Sequence, residues 1–292
     1  MTITTAMVKE LRELTGVGPL DCKKALESYG GDLQKATEFL REKGLAKAAK
    51  KAGRETNAGL VIVKSAGDAA CAVELMCETD FVARTDAFKQ FAHRAAEQVL
   101  AEPGLNNREA LLANPFMDGK TAAEIIQGMI GALGENIVMG RVVRYDSGVV
   151  ASYVHSGELE GTYGPDEGRI GVLVELGVGE GADRSMMDDL AHDLTLHITS
   201  AGSRYLRPED VPAEVIEQER ETWLADVGNK PEAIKARILE GRQNSFYQDV
   251  CLLQQAFVKD DSLTIAELIE QRSREIGAPV QIMRFVRFEV GN

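Results

Sequence analysis

Acids, four cysteines and four histidines are the side chains of this 292-residue chain with chemistry to offer, and their spacing assembles none of the usual reactive centres. Cys22, Cys71, Cys77 and Cys251 contain no Cys-x-x-Cys pair and no grouping with histidine at zinc-like spacing. His192 and His197 are five residues apart, not the i, i+4 that turns two imidazoles toward one metal, and no acid stands in a zincin position. Both read as surface or packing residues. Cys77 has no Lys, Arg or His within three residues to favour a thiolate, so it reads as a buried thiol rather than a nucleophile. Gly177-Val178-Gly179-Glu180-Gly181-Ala182 satisfies the G-x-G-x-x-A form of a dinucleotide loop. Glu180 and Asp183, however, bring negative charge where a pyrophosphate needs positive potential. The strand before it reads as part of an antiparallel hairpin rather than a βαβ unit. The expected reading is a turn with Asp183 as a helix cap. No acid is paired with a sequence-local base, metal motif or nucleophile elbow. No catalytic residue, metal ligand or cofactor is therefore assigned.

One stretch resists the bland account. In Cys77-Glu78-Thr79-Asp80-Phe81-Val82-Ala83-Arg84 an apolar run ends in acids, shows a large ring, and turns charged again at what reads as a strand-to-helix connection. Asp80 as a helix cap with Phe81 and Val82 buried under the next helix is one reading. The other is a surface tip whose ring enters a partner's pocket, because aromatic anchors in desolvated pockets dominate interface energy.

The elements that must position this stretch follow from hydrophobic periodicity. The first 54 residues read as three short helices: one near Thr5–Leu14, broken at Thr15-Gly16-Val17-Gly18-Pro19, one over about Leu20–Ser28, and one capped by Asp32. Lys43–Asn57 reads as a charged, Ala-rich, helical linker. Gly59–Ser65 and Ala69–Cys77 read as a β-hairpin, followed by amphipathic helices at Asp86–Leu100 and Thr121–Leu133 and a strand at Val138–Tyr145. Val149–His155 and Arg169–Leu176 read as a second hairpin, then a helix at Asp183–Thr199, an αα-hairpin over Arg207–Val227 and Pro231–Tyr247, and a last strand at Val280–Val290. Hairpin strands with helices inserted between them predict an α+β fold with antiparallel sheets. Apolar content of 44% and charged content of 27% are those of a soluble globular protein. No run approaches the roughly 20 apolar residues of a membrane helix, and the amino terminus lacks a signal-peptide core. The expectation is a reduced, cytoplasmic protein with free thiols. Net charge is −13, which argues against general nucleic-acid binding. Residues 1–54 nevertheless carry 11 Lys/Arg against 7 Asp/Glu, mostly through Lys43–Arg54 (KGLAKAAKKAGR). That run could touch an acidic partner or RNA and more commonly is a solvated helix face.

Val8–Gly44, Glu74–Thr85 (ELMCETDFVART), Gly134–Ile137 (GENI), Arg169–Leu176, Pro208–Pro212 (PEDVP), Cys251–Asp260 (CLLQQAFVKD) and Arg284–Gly291 (RFVRFEVG) together resemble, block by block and in order, the bacterial elongation factor Ts family. The resemblance covers nearly the whole chain. It implies a guanine nucleotide exchange factor for the translational GTPase elongation factor Tu, with no chemistry of its own. Implied domains are an N-terminal three-helix, ubiquitin-associated (UBA)-like bundle with a basic linker over 1–54 and a core N-subdomain over 55–148. A core C-subdomain over 149–203 and 246–292 and a coiled-coil helical hairpin over 204–245 complete the set. It implies that Thr79, Asp80, Phe81 and Val82 dislodge Mg²⁺ from the partner, and that Val17, Gly18, Pro19, Leu20, Leu133, Gly134 and His155 contact it. GDP, GTP and Mg²⁺ belong to the partner, and neither nucleic acid nor membrane is expected to bind directly.

Departures are specific. Pro19-Leu20 stands where many members carry two methionines, and His155 is followed by Ser156 rather than glycine. Gly157–Gly168 (GELEGTYGPDEG) reads as an insertion before the next strand. Some relatives continue past the last strand with a further helical module, whose contacts are expected to be missing or replaced here. Two rivals remain open on the residues: an adaptor that only tethers the GTPase or another translation component, and a hydrolase using dispersed carboxylates.

Overall fold

The computed structural model describes residues 2–116, 119–157, 163–179, 181–228 and 230–291. Helices α1 (Thr5–Thr15), α2 (Pro19–Ser28) and α3 (Leu33–Lys51) form an amino-terminal bundle around Leu11, Cys22, Ala25, Leu26, Ala36 and Leu40. Thr4 and Asp32 cap α1 and α3 with side-chain oxygens, and Gly16 ends α1 in the left-handed conformation that a residue without Cβ adopts freely. The first part of the expected linker, up to Lys51, continues α3, because its alanines and lysines are good helix formers, and residues 52–57 leave the helix for β1.

The core follows as β1 (Ala58–Ala66), β2 (Ala69–Cys77), the single turn α4 (Asp80–Ala83), α5 (Asp86–Ala101), α6 (Arg108–Ala113), α7 (Ala122–Leu133), β3 (Ile137–Tyr145), β4 (Val149–His155), β5 (Glu167–Gly168), β6 (Ile170–Val178) and α8 (Arg184–Ala201). After a 3₁₀ turn at Pro208–Asp210 come α9 (Ala213–Val227), α10 (Glu232–Val250), β7 (Ala256–Phe257), β8 (Asp260–Thr264), α11 (Ile265–Ile276) and β9 (Val280–Glu289). The fold is α+β. Two antiparallel sheets, ordered β3-β2-β1-β5 and β4-β6-β9, carry the core, and β7-β8 is a small hairpin beside it. Among the described residues no helix is long and apolar enough to cross a membrane.

Strand alternation sorts the side chains into layers. Leu60 and Ile62 of β1, with Val73 and Leu75 of β2, face α5 and α7. Val61 and Val63 face the second sheet, where Leu173 and Phe288 meet them. Val172, Val174 and Leu176 on the far side of β6 face α8 and α11. The order is therefore helices, sheet, sheet, helices. A short pattern recurs in the two halves: Val73-Glu74-Leu75 precedes the tip and a helix holding Ala92-His93, and Val174-Glu175-Leu176 precedes a turn and a helix holding Ala191-His192. Asp183 caps α8 through Met186 N–H, and β6 lies in an antiparallel sheet. Both findings argue against a dinucleotide loop; Gly177 and Val178, expected in the turn, instead extend β6 and pair with Gln281 and Val280, and Glu180 lies outside the described residues.

The bundle meets the core where α3 crosses α7. A Cβ placed on Gly131 would sit 3.0 Å from Gly44 Cα, so these glycines permit the closest approach of the two helices. Arg41 and Glu124 pair across the same crossing at 2.6 Å.

Candidate functional site

The tip starts where β2 ends. Thr79 is the N-cap of α4, and its side chain does not cap the turn, because its hydroxyl donates to Glu135 Oε1 at 2.6 Å while its N–H donates to Glu135 Oε2 at 3.0 Å. Asp80 is thus the first residue of the turn rather than its cap. Ala83 N–H to Thr79 O and Arg84 N–H to Asp80 O close the turn, and Thr85 N–H and Oγ1 both donate to Val82 O before α5 begins. Val82 and Ala83 are buried. Phe81 is 86% exposed. Of the two readings left open, the one that buries Phe81 under the following helix is overturned, since the pitch of one helical turn sends Val82 inward and leaves the ring beside it facing outward. For Val82 the burial is as expected.

The base of the tip is built from polar groups on three segments. Glu78 accepts from Asn136 N–H at 2.6 Å and pairs with Arg54 at 3.3 Å. The Asn136 hydrogen bond, reinforced by Arg54, holds the Glu78 carboxyl below its ordinary range. Lys51, at the end of α3, donates to Gly134 O. Burial, with Glu135 adding to it, pushes the Cys77 thiol up to about 12, so it is inert at neutral pH. On the other flank Arg169 Nη1 lies 3.5 Å from Asp80 Oδ1. Arg169 N–H donates to His155 O at 2.9 Å, and its guanidinium donates to Val290 O at 3.3 Å.

Beyond Arg169 the described part of the insertion is anchored. Glu167, 7% exposed, accepts from Lys89 at 2.6 Å, from Gly164 N–H at 3.1 Å, and lies 2.8 Å from His93 Nε2. Burial works to raise its pKa, but the hydrogen bonds from Lys89 and His93 prevail and hold it below the usual carboxylate range. Tyr163 packs on the core with Lys89 Nζ 5.4 Å from its ring centroid, and burial raises its phenol pKa. Residues 158–162 of the insertion lie outside the described residues.

The structure therefore links several of the expected site residues. Thr79 is bonded to Glu135, the residue after Leu133-Gly134, and Asp80 is paired with Arg169, whose N–H donates to the carbonyl of exposed His155, a residue whose ring stacks on Tyr153. Val17 and Leu133 line one groove of about 390 Å³ between the bundle and α7. Gly18, Pro19 and Leu20 continue from Val17 onto exposed surface at the start of α2, where Leu20 is an exposed apolar side chain. His197 is buried, accepting from Val258 N–H at Nδ1, so its Nε2–H faces Gln255 Oε1 at 3.1 Å, and burial lowers its pKa. His192 is exposed. Among the described residues no group of His, Cys, Asp and Glu could hold a metal ion.

Sequence reasoning missed Glu135, Arg169, Glu167 and His93. A carboxylate directly after the helix-ending Gly134 was the available signal for Glu135. The others come together only through tertiary contact.

What these elements define is an α+β protein with an amino-terminal helical bundle and a projecting, braced aromatic–acid tip, a class whose candidate site is a surface it presents. The family model described as elongation factor TS matches residues 78–292. The elongation factor Ts of Clostridium perfringens strain 13 is 43% identical over 295 residues, covering 99% of this chain and 93% of that protein. That of Idiomarina loihiensis is 42% identical, covering 100% and 92%, and that of Aquifex aeolicus 41% identical, covering 100% and 99%. The chain belongs to the elongation factor Ts family.

Proposed function

We propose that this chain is a guanine nucleotide exchange factor for elongation factor Tu, acting in the cytoplasm and carrying out no chemistry of its own. One observation supports this reading above the others: Phe81 stands exposed on a turn whose next two residues are buried. A large ring held out by a fixed base is a wedge, and its burial must come from a partner.

Mg²⁺ holds GDP in a GTPase by bridging phosphate and protein oxygens, and it demands near-ideal octahedral geometry. Phe81 supplies rigid apolar volume that separates two helices of the partner, and Asp80 brings a charge poorly tolerated beside the metal's own carboxylates. A displacement of a fraction of an ångström then weakens metal and nucleotide together. Neither residue coordinates the metal. By linkage, a factor that binds the nucleotide-free GTPase more tightly is itself weakened by GDP in the same ratio.

In this proposal the UBA-like bundle (1–54) docks on the nucleotide domain through Val17, Gly18, Pro19 and Leu20. The core halves (55–148, and 149–203 with 246–292) reach further through Leu133, Gly134 and His155. The hairpin over 204–245 protrudes as a coiled coil. Stopped-flow release of fluorescent GDP from elongation factor Tu tests the reading. Catalytic amounts of the chain are expected to accelerate release; binding without acceleration would identify a tether and sink the proposal.

A further inference from the structure

We infer that Arg169 is a positioning residue for the tip, fixing the acid beside Phe81, and that residues 163–168 are the brace that keeps Arg169 in place. The inference rests on the exchange reading above. A helical turn of four residues cannot hold its own orientation, because nucleating a turn fixes several dihedrals for one hydrogen bond. Its aim must come from contacts outside it. Burial of Val82 and Ala83 and the Thr79–Glu135 bonds fix its base. The Arg169–Asp80 pair reaches the residue adjoining the ring.

Arg169 suits this role because its own position is over-determined. Its N–H is tied to His155 O and its carbonyl accepts from Val290 N–H, both at 2.9 Å. Its guanidinium divides between Val290 O, through Nη2, and Asp80, through Nη1. A planar fork can serve both at once; an ammonium is a single point of charge. The chain just before it is clamped in turn, with Glu167 buried against Lys89 and His93 of α5 and β5 paired to β1. The helix that begins directly after the tip thus holds the brace that aims the tip.

The side chains of Asp80 and Arg169 are 48% and 31% exposed, so the pair adds little to global stability. A bias of the same size on the tip's orientation is nevertheless visible in a rate, since about fivefold corresponds to roughly 1 kcal/mol. The test uses the full chain with Arg169→Gln, Asp80→Asn, the double variant and Arg169→Lys. It reads the saturating rate constant for fluorescent GDP release from elongation factor Tu, the concentration giving half of it, and the thermal midpoint. Arg169→Gln is expected to lower the saturating rate about fivefold, with the half-saturating concentration within about twofold of the parent's and the midpoint unmoved. In the Asp80→Asn background it should have no further effect, and Arg169→Lys should recover only part of the loss. An active parent with additive losses in the double variant, an unchanged rate in Arg169→Gln, or a loss that tracks the thermal midpoint overturns the inference alone. A parent that leaves GDP release unchanged overturns the exchange reading and takes the inference with it.

Discussion

Phe81 and Phe88 are seven residues apart, one 86% exposed and the other fully buried, and that contrast sets what each can be doing. Burying a phenylalanine ring is worth about 1.5–3 kcal/mol, a gain that Phe81 forgoes in the free chain. Phe81→Ala should therefore leave urea-unfolding stability within about 0.5 kcal/mol of the parent, as for a surface substitution. It should lower the rate of GDP release by tenfold or more, about 1.4 kcal/mol of differential stabilisation. Phe88→Ala should cost about 3–5 kcal/mol of stability, as truncation in a packed core does. Full exchange activity in Phe81→Ala would return the ring to an incidental exposure. That Asp80-Phe81 could stand at an exposed tip was legible because an acid beside a ring at a strand end is an unusual pairing. Which of Phe81 and Val82 turns inward was not, since that depends on where the turn begins. Thr79 takes the N-cap position by its extended backbone, while its hydroxyl is bonded to Glu135, 56 residues away; no local pattern announces that contact.

Among the elements, those made by tertiary contact were not legible, and strong local signals were read in α5 but not in α11. The spacing of Phe88, Phe91, Ala95 and Val99 marks α5, and the same residues are buried in it. Helix α11 went unread although Thr264 and Glu267 form a capping box and Gly277 closes the helix, signals that were present in the sequence. Strand β5 is two residues long and exists by pairing with Val61 and Ile62, so no propensity could reveal it. Its stability is open to a pH test. The lowered pKa of Glu167 means that the folded state favours its ionised form, so its contribution is present above the unfolded carboxyl value of about 4.3 and is lost as pH falls through the folded value. Glu167→Gln should be less stable than the parent at pH 7, and the gap should close on acidification toward pH 3. Urea-unfolding midpoints at the two pH values measure it. A gap that stays constant would show that hydrogen bonding alone, and not charge, fastens the brace.

Across the whole molecule the two halves are joined by matching polar pairs between the sheets. Glu74 on β2 is buried and bonded to Arg141 of β3, whose guanidinium lies 4.5 Å from the Phe288 ring centroid on the opposite sheet. Glu175 on β6 is bonded to Arg284 of β9, whose guanidinium lies 4.1 Å from the Tyr145 ring centroid, again across the sheets. The pairing register shifts beside each glutamate, between Val73 and Leu75 against β3 and between Glu175 and Leu176 against β9. A Cβ on Gly140 would meet the Glu74 carboxylate at 2.5 Å, so glycine is required there by the pair itself. Breaking a fully buried pair costs about 3–5 kcal/mol because a charge is left without a partner. Arg141 is 45% exposed and Glu74 3%, so water can reach one partner and the expected cost of Arg141→Met is about 2–3 kcal/mol by urea unfolding. Glu74→Met in that background removes the stranded charge, and the double variant should recover more than half of the loss. If it instead proves as unstable as Arg141→Met alone, the arginine matters for its stacking on Phe288 and its bonds to Arg287 O and Glu289 O, and the glutamate is incidental to the joint between the sheets.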